Sequence, residues 1–106
     1  LNFLMQGVTT VITGNDGGGP VNTGEILAKW EQGIGTNAAL LAGHASIRRE
    51  VLAMSDAAPT SEQLDRMKGL LRRSLEAGAI GFSTGLFYAP GSFATTDEVI
   101  ELAKVA

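Results

Sequence analysis

The sequence predicts an α/β unit built on three parallel strands and four helices, and three observations carry that expectation. The run Val8-Thr9-Thr10-Val11-Ile12-Thr13 is β-branched at every position, which favours a strand buried on both faces, as in a parallel sheet. From Leu64 to Leu75 the apolar residues recur at three- and four-residue steps, the spacing of one helical face. Short apolar runs also alternate with helical patterns along the whole chain, the order expected of strands joined by crossover helices.

The elements follow in turn. Gly14 ends the first strand, and a loop runs from Asn15 to Val21. Asn22 and Glu25 have capping-box spacing, with Ile26, Leu27 and Trp30 at helical spacing behind them until Gly33. Thr36 to Ala42 is a second apolar run, centred on Leu40 and Leu41; it ends at Gly43-His44, and Ser46 opens a short helix through Met54. Pro59, Thr60 and Gln63 form the next start signal, and the helix they open carries Leu64, Met67, Leu71 and Leu75 up to Gly78. A third short strand is expected over Ala79 to Ser83, then an aperiodic stretch from Thr84 to Ala94 containing Pro90-Gly91. Thr95 and Glu98 cap a last helix with Val99, Ile100 and Leu102. There is no fixed-period repeat, low-complexity tract or linker, so residues 1–106 are expected to form one unit.

Composition narrows the partners. A chain of 106 residues with 44% hydrophobic content can bury one small core. A net charge of -3 with no basic run gives no footprint for nucleic acid or for an anionic membrane surface. No apolar run approaches the ~20 residues of a membrane span, and a cytoplasmic location is expected. The chain contains no cysteine, so disulfides and thiolate metal sites are excluded. It opens with neither an initiator methionine nor the basic flank of a signal peptide and stops inside a helical pattern, which leads to the expectation that it is an internal piece of a longer chain.

Ligands of parallel α/β folds meet the loops at the carboxyl ends of the strands, and three segments qualify: Gly14 to Pro20, Gly43 to Ser46, and Thr84 to Ser92. The first is rich in glycine, which lets backbone N–H groups approach an anion. Its spacing fits neither the P-loop nor the dinucleotide fingerprint, and Asp16 would repel phosphate. It reads as an anion cradle, a tight turn, or a metal or substrate loop. Gly81-Phe82-Ser83-Thr84-Gly85 formally matches a nucleophile elbow, with Asp16 and His44 to complete a triad, but an elbow needs a helix directly after its serine. His44, the single histidine, is either a hydrogen-bonded structural residue or a functional group past a strand end. Tyr88 and Phe87 cover the mouth of the fold on the plain reading. Lys29, Arg48, Arg49, Lys68, Arg72 and Arg73 lie on predicted helices and read as solvated.

Gln6-Gly7-Val8-Thr9-Thr10-Val11, then Gly14-Asn15-x-Gly17, then Ala39-Leu40-Leu41-x-Gly43-His44, then Glu76-Ala77-Gly78-Ala79-x-Gly81-x-Ser83-Thr84-Gly85-Leu86-x-Tyr88-x-Pro90-Gly91, taken in that order, resemble the N-acyl-D-amino-acid deacylase (D-aminoacylase) branch of the amidohydrolase superfamily. The resemblance covers nearly the whole chain. It implies a partial (β/α)8 TIM barrel and a zinc-dependent hydrolase acting on N-acyl-D-amino acids. Such a zinc lowers the pKa of its water to about 7 and polarises the acyl carbonyl. Where that family carries a metal-binding cysteine, this chain has Asp16, an oxygen ligand that zinc also accepts. His44 matches a glycine-histidine turn lining the barrel mouth, and Tyr88 matches a tyrosine that holds the substrate carboxylate, so both are implied substrate-binding residues. The family's other histidine ligands and its catalytic aspartate fall outside these blocks, and no catalytic residue is assigned here. The chain alone is therefore expected to be inactive and, with unpaired edges on its outer strands, to self-associate. The competing reading is a non-catalytic module that binds an anion or a partner through loop 14–20.

Overall fold

The computed structural model describes residues 2–106. It contains α1 (Asn2–Met5), β1 (Thr10–Thr13), α2 (Thr23–Trp30), β2 (Asn37–Gly43), α3 (His44–Leu52), α4 (Ser61–Glu76), β3 (Gly81–Ser83), a single 3-10 turn (Gly91–Phe93) and α5 (Thr96–Ala103). The three strands are parallel in the order β1-β2-β3, with Thr10 opposite Asn37 and Leu41 opposite Gly81. The α/β class, the strand number and the four predicted helices stand as expected. One short helix, α1, lies where the sequence carried no helix signal.

The core forms on one side of the central strand. Ala42, Ile47, Leu52, Met67, Leu71, Ala79 and Leu102 are buried together, with Leu64, Leu75, Val51 and Phe82 packed against them. Helix α3 packs on α4, and α4 on α5. The face of α4 legible in sequence is the face it buries: Met67 and Leu71 are fully enclosed. Its start is the anticipated capping box, in which the Gln63 amide donates to Thr60 Oγ1 at 3.2 Å and the Thr60 amide donates to Gln63 Oε1 at 2.9 Å. Those two bonds satisfy two of the donors a helix N-terminus leaves free.

Three local expectations are corrected. The β-branched strand is not buried on both faces: β1 is an edge strand outside the core cluster, and Ile12 is 57% exposed. Asn22 and Glu25 do not cap α2, because the Asn22 side chain donates to Glu25 Oε2 instead and Asn22 is not extended. Finally, β2 runs straight into α3 at Gly43-His44 with no loop, since Gly43 stays extended (φ -99, ψ 124) and serves as the N-cap residue.

Lys68 on α4 and Lys104 on α5 both reach Glu101, Lys68 Nζ lying 2.7 Å from its carboxylate. Hydrogen bonds from Lys104 and then Lys68 pull the Glu101 pKa from its ordinary 4.5 to about 2. A carboxylate with a depressed folded pKa stabilises the fold above its unfolded pKa, and that contribution is lost as pH falls from about 4.5 to about 2. Being partly exposed, the pair contributes little in magnitude. An NMR titration of the Glu101 carboxyl carbon should find its midpoint near the lower value, and Lys68→Met with Lys104→Met should return it towards the ordinary one. An ordinary midpoint in the unaltered chain would contradict the pairing.

Candidate functional site

The loops after β1 and β3 interlock over the end of β2. Gly14 and Gly17 adopt left-handed backbone (φ 90 and φ 76), which lets residues 14–19 fold back tightly on the sheet. Ser83, at the end of β3, clips this loop in place. Its hydroxyl donates to the Gly14 carbonyl and accepts from the Gly17 amide at 3.1 Å. The Ser46 amide, on α3, donates to the Gly17 carbonyl at 3.2 Å. Gly19 lies so close to β2 that a Cβ there would overlap the Leu41 carbonyl, and a Cβ on Gly85 would sit 2.5 Å from the Asp16 carbonyl oxygen. Chain segments from all three strand ends thus touch backbone to backbone.

This packing decides several sequence alternatives. Ser83 spends its hydroxyl on the loop, no helix follows it, and His44 is engaged elsewhere. A Ser83-His44-Asp16 triad is therefore not formed. The Gly17 and Gly18 amides are not free to cradle an anion: the Gly17 amide is bound by Ser83, the Gly18 amide by the Asn15 carbonyl, and Gly17 and Gly19 are buried.

Asp16 has left-handed backbone (φ 53) at the loop's tip, with its side chain exposed. Tyr88 is 73% exposed and stacks edge-on against Phe87, 4.9 Å between ring centroids. Its carbonyl accepts from the Ser92 amide at 3.0 Å, and Pro90, after a cis peptide bond, is buried beneath. The third expected site residue is placed differently. His44 is fully buried, and both ring nitrogens have protein partners: Nε2 lies 2.9 Å from Glu98 Oε1, and Nδ1 lies 3.1 Å from Thr84 Oγ1.

Sequence reasoning missed Arg48 and Glu98. Arg48 is completely enclosed, not solvated; its guanidinium donates to Glu98 Oε2 and to the carbonyl of Ala57 at 2.8 Å. A signal was available, because His44, Ile47, Arg48 and Leu52 share one helical stripe. The Glu98 amide donates to Thr95 Oγ1 at 3.2 Å, which caps α5, but the Glu98 carboxylate turns inward to His44 and Arg48 and does not complete a capping box.

For a metal, the donor set is incomplete. Among the described residues no three His, Cys, Asp or Glu side chains come together, whereas a catalytic zinc takes three protein ligands and a water. Asp16 is the one exposed carboxylate on the interlocked loops, and it suits zinc as a single oxygen donor. A surface cleft of about 720 Å³ runs along α3 and α4 between Glu50, Glu62, Arg66 and Arg73, and none of Asp16, His44 or Tyr88 lines it.

Gly19→Ala tests the interlock. A methyl forced against the Leu41 backbone should lower stability by at least ~1–3 kcal/mol, the usual cost of overpacking, seen as a lower urea midpoint. An unchanged midpoint would mean the loop is not seated on β2.

No protein-family model matches the chain. Two curated proteins of Alcaligenes xylosoxydans xylosoxydans do: a D-aminoacylase, 33% identical over 95% of this chain and 26% of its own length, and an N-acyl-D-glutamate deacylase, 36% identical over 95% and 25%. In fold, the chain is similar to the N-acyl-D-glutamate deacylase of Bordetella bronchiseptica, solved with zinc and a phosphonate mimic of the tetrahedral intermediate (TM-score 0.89, 35% identity, 97% of this chain and 27% of that one). It is also similar to a D-aminoacylase described as having a binuclear metal centre (TM-score 0.86, 30% identity, 96% and 27%). The chain spans about a quarter of the length of these relatives. It is thus homologous, in sequence and in fold, to one segment of the D-aminoacylase and N-acyl-D-amino-acid deacylase family, a subset of the amidohydrolases.

Proposed function

We propose that residues 1–106 form one segment of a zinc-dependent amidohydrolase barrel that hydrolyses the amide bond of N-acyl-D-amino acids. The observation that carries this reading is the match, at 35% identity and TM-score 0.89, to a deacylase solved with zinc and a tetrahedral-intermediate mimic. A metal in such a site supplies an activated water. This segment supplies a platform at the carboxyl ends of three strands, with one metal ligand, Asp16, and one substrate contact, Tyr88. The Tyr88 hydroxyl, exposed on its loop, donates to the substrate's carboxylate. His44 lies beneath the same platform. Two of the loop's glycine amides, Gly17 and Gly18, are already bonded within the protein, which counts against the competing reading as an anion-binding module.

Two variants of the full-length protein separate the roles. Asp16→Ala removes a ligand, so bound zinc and turnover should fall together. Tyr88→Phe removes one hydrogen bond to substrate, so KM should rise about tenfold while zinc content stays normal. Full zinc occupancy with near-normal turnover in Asp16→Ala would return Asp16 to a turn-forming role, and unchanged kinetics in Tyr88→Phe would return Tyr88 to packing.

Taken alone, the chain leaves the outer edges of β1 and β3 without a strand partner among the described residues, with Ile12 and Ile80 more than half exposed. Unpaired edges of that kind promote association. Light scattering on the 106-residue chain should therefore report concentration-dependent self-association, and a stable monomer at high concentration would oppose it.

A further inference from the structure

We propose that Glu98, His44 and Thr84 form a hydrogen-bonded positioning chain that sets the loop carrying Tyr88, so that His44 acts on substrate through that loop and not by touching substrate or metal. The kinetic part of this inference rests on the deacylase reading; the structural part stands without it.

The chain has a direction. Glu98 is buried, and its Oε2 accepts from the Arg48 guanidinium, which leaves Oε1 to accept from His44 Nε2 at 2.9 Å. An imidazole that donates from Nε2 presents an acceptor at Nδ1. The Thr84 hydroxyl, 3.1 Å away, then donates to Nδ1. Glu98 is the charged group bonded to His44, Arg48 is bonded to the same carboxylate, and the Phe82 ring lies T-shaped to the imidazole, 6.0 Å between centroids. Each participant belongs to a different part of the fold: His44 opens α3, Glu98 lies in the first turn of α5, and Thr84 directly follows β3.

Thr84 is where this buried cluster reaches the surface. The residue itself is exposed, whereas the ring it bonds is enclosed. The next residue, Gly85, has its backbone against the Asp16 carbonyl, and Tyr88 follows three residues later. One hydroxyl therefore ties the base of the loop to a group that cannot move without leaving one oxygen of a buried carboxylate without its partner. With both ring nitrogens committed, His44 has no lone pair left for a metal or a ligand.

The test uses Thr84→Val, which keeps the shape and removes the hydroxyl, and His44→Gln, alone and combined, in the full-length protein. Hydrogen exchange of amides 84–94 should speed up in both single variants. KM for an N-acyl-D-amino acid should rise more than kcat falls, zinc content should hold, and the double variant should be no worse than either single one, as expected of coupled residues. Unchanged exchange over residues 84–94 in Thr84→Val, whose fold is the less at risk, overturns the proposal, and so does loss of zinc in His44→Gln with exchange unaltered. If the unaltered protein shows no deacylase turnover, the deacylase reading fails separately, and the exchange measurement alone decides the positioning chain.

Discussion

The arrangement of loops at the carboxyl ends of the three strands depends on how closely the glycine loop lies on the central strand. At Gly19 and Gly43 the two backbones approach with no room for a side chain between them. Only that approach brings the Gly17 amide and the Gly14 carbonyl within reach of one serine hydroxyl, Ser83, at the end of β3. The same approach stations Gly85 against Asp16. The glycines are thus required for distance more than for flexibility, and they turn three separate strand ends into one surface.

A second constraint works from inside. Glu98 is a buried carboxylate, and burying a charge is costly unless it is paired and fully hydrogen-bonded. Arg48 supplies the opposite charge, and its own position is fixed by carbonyls of the segment between α3 and α4. His44 fills the remaining carboxylate oxygen. Helices α3 and α5 are therefore tied by a polar cluster as well as by Ile47 and Leu102 in the core. Arg48 Nε has no hydrogen-bond partner among the described residues.

Some of this was legible in the sequence. The α4 face showed in the spacing of Leu64, Met67, Leu71 and Leu75, and its start in Thr60 and Gln63, because helix periodicity and capping are local. The capping pattern at Asn22 and Glu25 failed for a matching reason: two side chains that can cap can also bond each other, and only the entry angle of the chain decides. The β-branched strand misled because composition reports what a strand prefers, not which neighbours stand over it. Arg48 looked solvated on charge alone, although its helical stripe placed it with Ile47 and Leu52. Ser83 resembled a nucleophile in sequence, and only contacts with residues almost seventy positions away show it to be a clip. The partners of His44, forty and fifty-four residues distant, were equally beyond local reasoning.

The claim that joins these observations is that the interlocked loops are one wall of a zinc-dependent deacylase site. The most direct measurement is amino-acid release by the full-length protein from matched N-acyl-D- and N-acyl-L-amino acids, before metal removal, after chelation, and after zinc is restored. The account predicts release from the D substrate only, lost on chelation and recovered with zinc. A folded, zinc-replete protein that leaves every N-acyl-D-amino acid intact would contradict it.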